Sequence, residues 1–250
     1  MSARVAPTTP RTRIRARDAR ARCSSNERAR EFAPRARCPS CGRATVACAC
    51  AACARALDVD GLGLIANACE IVIIQDRKEF RRALGSAAIA KRALAKCEVT
   101  WYEENEDGTM DAPIPRCGVE RAGVLWPSDD AMDLKAYCAM DIDERPALEV
   151  LVVIDSTWSR AKAMYHAIPW LAKTRKYVVE PKRLSNYRIR AQPNARFLST
   201  AECVSQALME LEPNSRAYLL ERAFDYMIDD HLAAMNAAGR APRRRSKGAD

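Results

Sequence analysis

Residues 148–158 read Leu148-Glu149-Val150-Leu151-Val152-Val153-Ile154-Asp155-Ser156-Thr157-Trp158, and the fold class turns on this stretch. The apolar, largely β-branched run from 148 to 154 suits a strand covered on both faces, as in a parallel sheet. A helix from about 157 to 168 follows at once, with Trp158, Ala161, Met164, Tyr165 and Ile168 on one side. Working outward, Ile71-Val72-Ile73-Ile74 is a second buried strand, and residues 79–96 read as the helix after it. Val124-Leu125-Trp126 is a weaker strand stopped by Pro127, and Tyr177-Val178-Val179 is another. Helices over 200–211 (Val204, Ala207, Leu208 and Leu211 inward) and 215–236 (Leu220, Ala223, Phe224, Met227 and Ile228 inward) close the domain. Strands alternating with helices predict an α/β fold with a mainly parallel sheet flanked by helices. Such sheets bind ligands at the carboxyl ends of their strands.

The chain has 250 residues and a net charge of +9, but the charge is unevenly placed. Residues 1–35 hold ten arginines against Asp18, Glu27 and Glu31, and residues 239–250 hold four arginines and Lys247 against Asp250, so the body between them is slightly acidic. The basic first segment lacks apolar periodicity and reads as disordered or as a removable targeting segment: an organelle transit peptide, or a nuclear or RNA-contacting tail. Arg243-Arg244-Arg245-Ser246-Lys247 reads as a nuclear address or a solubilising tail. The expected organisation is therefore a basic segment (1–35), a cysteine knuckle (36–56), a catalytic domain (66–238) and a basic tail (239–250). No apolar run approaches the ~20 residues of a membrane span.

Five of eleven cysteines crowd into residues 38–53, and no signal-peptide core precedes them. This points away from a secreted disulfide framework and toward an intracellular, reducing compartment, whether nucleus, cytosol or organelle. Cys38-x2-Cys41-x6-Cys48-x-Cys50 offers the four thiolates that tetrahedral zinc needs, in a segment too short to fold without a staple. Cys53 is a possible substitute ligand, and a run of unliganded thiols is the plainer alternative. His166 and His231 have no metal or triad spacing, and the carboxylates near 103–107 and 141–144 read as solvated loops.

At ~100° per residue along a helix from Lys78 to Lys96, Lys78, Arg81, Arg82, Arg92 and Lys96 would share one third of the circumference, with Phe80, Ala83, Leu84, Ala87 and Leu94 opposite and packed on the sheet. Such a stripe could contact RNA phosphates, although a solvated charged face is the commoner meaning of this pattern.

Asp155, between the strongest strand and its helix, could simply cap that helix. The wider pattern says more. Residues 151–162 resemble the hallmark of the DTW domain family: an apolar strand, Asp-x-Thr-Trp, then a helix with Ala three places on. The cysteine knuckle, Leu125-Trp126-Pro127-Ser128, Ser185-Asn186-Tyr187-Arg188-Ile189-Arg190 and Ser199-Thr200-Ala201-Glu202 resemble the family's other motifs, in order, over residues ~38 to 232. The chain departs from the pattern in two places: it has Gln75-Asp76-Arg77 where the family usually has Gln-His-Pro, and Gly85-Ser86 where Asn-Thr often follows in the next helix.

The resemblance implies a tRNA-uridine aminocarboxypropyltransferase, S-adenosylmethionine as co-substrate, tRNA as partner, and a fold related to the knotted SPOUT methyltransferases. On this reading Asp155, Thr157 and Trp158 are the catalytic candidates. Leu125, Pro127, Ser128, Ser199, Thr200 and Glu202 are the donor-site candidates. Lys78, Arg81, Arg82, Tyr187 and Arg190 would meet tRNA, and Cys38, Cys41, Cys48 and Cys50 would hold zinc. For Ser199, Thr200 and Glu202, capping of the helix stands equally beside donor binding. The competing readings are a SPOUT-type RNA methyltransferase and a non-catalytic zinc-knuckle RNA-binding protein.

Overall fold

The computed structural model describes residues 36–58, 61, 63–80, 84–183, 185–188 and 198–239. In chain order the elements are α1 (Ala49–Leu57), β1 (Glu70–Gln75), α2 (Arg77–Phe80), α3 (Ala87–Ala93), β2 (Cys97–Thr100), β3 (Glu103–Glu104), β4 (Met110–Asp111) and β5 (Ala122–Leu125), then β6 (Met132–Asp133), α4 (Leu134–Ala139), β7 (Val150–Asp155), α5 (Trp158–Ala167), β8 (Arg175–Val178), α6 (Thr200–Leu211) and α7 (Tyr218–Ala237). The targeting and tail segments at 1–35 and 240–250 lie outside the described residues, as do Arg81, Arg82 and Arg190.

Six strands form one sheet in the order β2-β1-β7-β5-β8-β6, and every pairing is parallel. The two apolar runs, β1 and β7, lie side by side at its centre in the register Ile71↔Leu151 through Gln75↔Asp155. Alternation along each strand divides the core. Ile71, Ile73, Leu151 and Val153 pack with α1, α3, α6 and α7, while Val72, Ile74, Val150 and Val152 pack with Met164 and Tyr165 of α5 and with Ile168 just after it. The result is the expected α/β architecture, a parallel sheet with helices on both faces.

The connections diverge at the centre. From β1 the chain runs through α3 to β2 at one edge, and from β7 it runs through α5, on the opposite face, to β8 on the other side. The carboxyl ends of β1 and β7 therefore flank a topological switch point, the crevice where open α/β sheets place their ligands.

Gly123 makes the close approach of β5 and β8 possible. A Cβ there would stand 2.5 Å from the Tyr177 ring and 2.8 Å from Leu148 Cδ1, and Tyr177 is fully buried. Gly123→Ala is expected to overpack this layer and cost about 1–3 kcal/mol, read as a lowered thermal midpoint. An unchanged midpoint would mean that the Tyr177 layer is loosely packed.

Four expectations are corrected. The single helix over 79–96 is instead two short ones, α2 and α3, separated by a turn at Leu84 to Ser86, and Leu94 is already extended and bridged to Ile65. The five-charge stripe therefore does not exist as one helical face: Arg92 bonds the Ser40 carbonyl, and the Lys96 backbone bonds Asn67. Phe80, expected against the sheet, is 55% exposed. Trp158 is 43% exposed, unlike the other inward residues of α5. The helical signal failed because the apolar spacing of the Ala-rich segment continues in phase across a break made by local turn residues.

Candidate active site

Asp155 is the last residue of β7 and is 8% exposed. Its Oδ2 accepts from Gln75 Nε2 at 2.5 Å and its Oδ1 from Thr200 Oγ1 at 2.5 Å. The carboxylate thus joins the end of β1, the end of β7 and the first residue of α6. It does not cap the following helix; the capping position belongs to Thr157. A carboxylate oxygen has two lone pairs, so each keeps accepting capacity beyond these bonds.

The start of α6 is held from several sides. Ser199 Oγ accepts from Glu202 N and Glu202 Oε2 accepts from Ser199 N, a complete capping box. Glu202, 1% exposed, also accepts from Ser185 Oγ and from Asn186 N, and Ser86 Oγ accepts from Ala201 N. Tyr187 lies across the same junction, donating its hydroxyl to the Leu84 carbonyl at 2.9 Å. The Ser199 and Glu202 side chains therefore serve the cap and the 185–186 loop, which leaves Thr200 as the member of the trio that meets Asp155.

Asp76, one residue beyond β1, builds a second layer. Its backbone N–H donates to the Asp155 carbonyl at 3.0 Å, and its buried carboxylate accepts from Lys78 N (2.7 Å), Tyr102 OH (3.0 Å) and Arg160 Nε (3.2 Å). Burial alone pushes this carboxyl up, but the Lys78 amide, the Tyr102 hydroxyl and the Arg160 guanidinium together hold it below the usual carboxylate range. A folded pKa below the unfolded one stabilises fully above the ordinary carboxylate range, and that contribution is lost as pH falls through the lowered value. Asp76→Asn is expected to cost about 1–3 kcal/mol at neutral pH and to flatten the acid limb of a denaturation series. An acid limb as steep as that of the wild type would show that Asp76 does not make this contribution.

Arg43 comes from the cysteine knuckle and was not legible in the sequence. It is 6% exposed, and its two terminal nitrogens lie over Gly85, where a Cβ would meet them at 3.0 and 3.5 Å. Burial lowers its pKa, and Cys41, Asp155 and Tyr187 pull it back up, so the guanidinium sits within the electrostatic reach of the Asp155 carboxylate. Residues at both departures from the family pattern are thus parts of the site: beside Gln75, which the pattern shares, Asp76 donates its N–H to the Asp155 carbonyl, Gly85 makes room for Arg43, and Ser86 binds the start of α6.

The remaining candidates spread along the same sheet edge. Leu125 ends β5, beside β7; Trp126 stacks on Tyr165 at 4.3 Å; Pro127 is exposed; Ser128 donates to Asp130. Lys78 is exposed on α2.

In the knuckle, the Sγ atoms of Cys38, Cys41, Cys48 and Cys50 all lie within 4.8 Å of one another. Zn–S bonds of about 2.3 Å at tetrahedral angles put sulfurs about 3.8 Å apart. Cys41 and Cys48 stand at 3.8 Å, and Gly42 takes the turn between the first pair and the rest at φ +67°. The backbone amides of Cys41 and Ser40 lower the Cys38 thiol to about 6, while burial raises Cys48 to about 11. The four thiols fit a structural zinc with no open position. Cys53 is not a member: it is buried, and its Sγ faces the Ile89 carbonyl.

A parallel sheet bearing a buried carboxylate at its switch point, with a four-cysteine knuckle packed on the same core, defines an α/β domain with a candidate ligand crevice. Residues 35–232 match the model of the DTW domain family. The chain is 31% identical over 181 residues to tRNA-uridine aminocarboxypropyltransferase 2 of Drosophila melanogaster, covering 71% of this chain and 67% of that one. It is 27% identical over 150 residues to the Macaca fascicularis protein of the same name, covering 58% and 48%. The chain therefore belongs to the DTW domain family. It spans about two thirds of the fly relative and about half of the macaque one. No solved structure is a significant match.

Proposed function

We propose that this chain transfers the 3-amino-3-carboxypropyl group of S-adenosylmethionine to N3 of a uridine in tRNA and releases methylthioadenosine. The observation that carries this reading is the buried Asp155 at the switch point, oriented from both sides by Gln75 and Thr200. Uridine N3 is a poor nucleophile while protonated. Asp155 accepts or polarises its proton as the N3–Cγ bond forms and the S–Cγ bond breaks. Arg43 supplies fixed positive charge beside the developing uridine anion, and the donor lies along the ends of β7 and β5, near Leu125 to Ser128 and the start of α6. Holding N3 in line with Cγ rather than with the methyl carbon is the main task left to the protein, since the sulfonium is already activated.

Zinc, bound by the four cysteines, supplies a folding staple and no reactive position. Lys78, with Arg81, Arg82 and Arg190, is assigned to tRNA, and Trp158 to the crevice lip. Kinship with the SPOUT fold is supported by the parallel sheet and by the chain's return after β8 to the ends of β1 and β7. A reducing compartment suits the knuckle thiols. Among the described residues no helix is long and apolar enough to cross a membrane.

The test is mass spectrometry of nucleosides from tRNA incubated with protein and donor. An aminocarboxypropyl mass increase with methylthioadenosine as by-product supports the transferase. A methyl increase with S-adenosylhomocysteine would assign a methyltransferase, and tRNA binding without any mass change would assign a binding protein.

A further inference from the structure

Phe80 and Trp101 form an aromatic pair that the core does not explain. Their ring centroids are 5.1 Å apart at 87°, Phe80 is 55% exposed and Trp101 is half-buried. Single exposed apolar side chains are ordinary. These two, however, are tied to the active site, Phe80 by its own backbone and Trp101 through its neighbour Tyr102. The Phe80 N–H donates to the Asp76 carbonyl at 3.3 Å, and Trp101 precedes Tyr102, whose hydroxyl donates to the Asp76 carboxylate. Asp76 in turn donates its N–H to the Asp155 carbonyl. The rings therefore stand just past the carboxyl ends of β1 and β2, Trp101 next to Tyr102, which bonds the Asp76 carboxylate, and Phe80 on the helical turn where its own N–H bonds the Asp76 carbonyl.

We infer that Phe80 and Trp101 are a stacking platform for an unpaired nucleobase next to the target uridine. This rests on the transferase reading. N3 lies on the Watson–Crick edge, so a uridine reacting there is unpaired, and its neighbours in a loop are free to splay onto aromatic rings. Stacking uses the π face that every base has, and rigid exposed rings offer it at little ordering cost. Arg77 and Lys78 are exposed on the same short helix as Phe80, and of the two acids that follow Tyr102, Glu104 is paired with Arg160 while Glu103 is exposed. The openness of the pair suits a base on a polynucleotide rather than the adenine of the donor, because small-molecule sites enclose most of their ligand.

Steady-state kinetics of the full-length, zinc-loaded protein test this. Phe80→Ala is expected to raise KM for tRNA by about tenfold to a hundredfold and to leave KM for S-adenosylmethionine unchanged, with Phe80→Tyr close to wild type. Single-stranded oligouridylate should quench tryptophan fluorescence in the wild type and still in Trp158→Phe, which removes the exposed tryptophan of α5, and adding Trp101→Phe should abolish that quench. An unchanged KM for tRNA in Phe80→Ala, or a rise confined to the donor, overturns the platform. If the wild type forms no modified nucleoside, the transferase reading alone fails. The oligouridylate titration then decides: a quench kept in Trp158→Phe and lost when Trp101→Phe is added supports the platform, and no quench in the wild type ends it.

Discussion

Asp155→Asn is expected to slow formation of the modified uridine by about 10²–10⁴-fold, the usual contribution of a positioned general base. The substitution keeps the shape of the side chain, and its amide oxygen still accepts from Gln75, whose bond to Asp155 spans the β1–β7 seam. It removes the proton acceptor and the negative charge within electrostatic reach of Arg43. The loss should therefore fall on single-turnover rate, with tRNA and donor binding largely retained. Gln75→Leu should give a smaller loss, because it leaves the acceptor present but held from one side only. Turnover by Asp155→Asn close to wild type would show that Asp155 only shapes the crevice.

The second large effect concerns the knuckle. Cys41→Ser, or removal of zinc by a chelator, is expected to cost more than about 4 kcal/mol, in the range that marks loss of a metal site. The reason lies in the helix that begins among the ligands. Ala49, Ala52 and Ala56 of α1 are fully buried in the same core as Phe224, Met227 and Ile228 of α7, so the knuckle is seated on the domain rather than appended to it. Metal analysis should give one zinc per chain in the wild type and none in Cys41→Ser, with a matching fall in thermal midpoint. Cys53→Ser serves as the control and should keep the metal, since its thiol faces Ile89. Loss of zinc in Cys53→Ser would reassign the ligand set.

Sequence legibility followed burial. The strands β1 and β7 and the helices α6 and α7 were readable because their apolar residues are nearly all inward, down to the 0% exposure of Leu220, Ala223, Phe224, Met227 and Ile228. The edge strands β2 and β6 were not, because Cys97–Thr100 mixes half-buried and exposed positions and Met132–Asp133 is two residues long. The knuckle ligands could be found by spacing, but α1 was passed over because its residues overlap the cysteine pattern, although Ala49, Ala52, Cys53 and Ala56 recur at helical spacing and are its buried face. Asp155 was found through its place after a strong strand. Its partners Gln75 and Thr200 lie 80 and 45 residues away, and Arg43 follows the knuckle turn with nothing local to distinguish it from the chain's other arginines. A contact of that kind is made by topology and leaves no local signal.

The central pairing of β1 with β7 bears on how the protein reaches this state. Those strands join segments separated by about eighty positions, in parallel, so a large loop must close before their contacts contribute anything. The crevice, built on the ends of both strands, consequently cannot form before that loop closes. Until then two strongly aggregation-prone runs, 71–74 and 150–154, remain uncovered in the growing polypeptide.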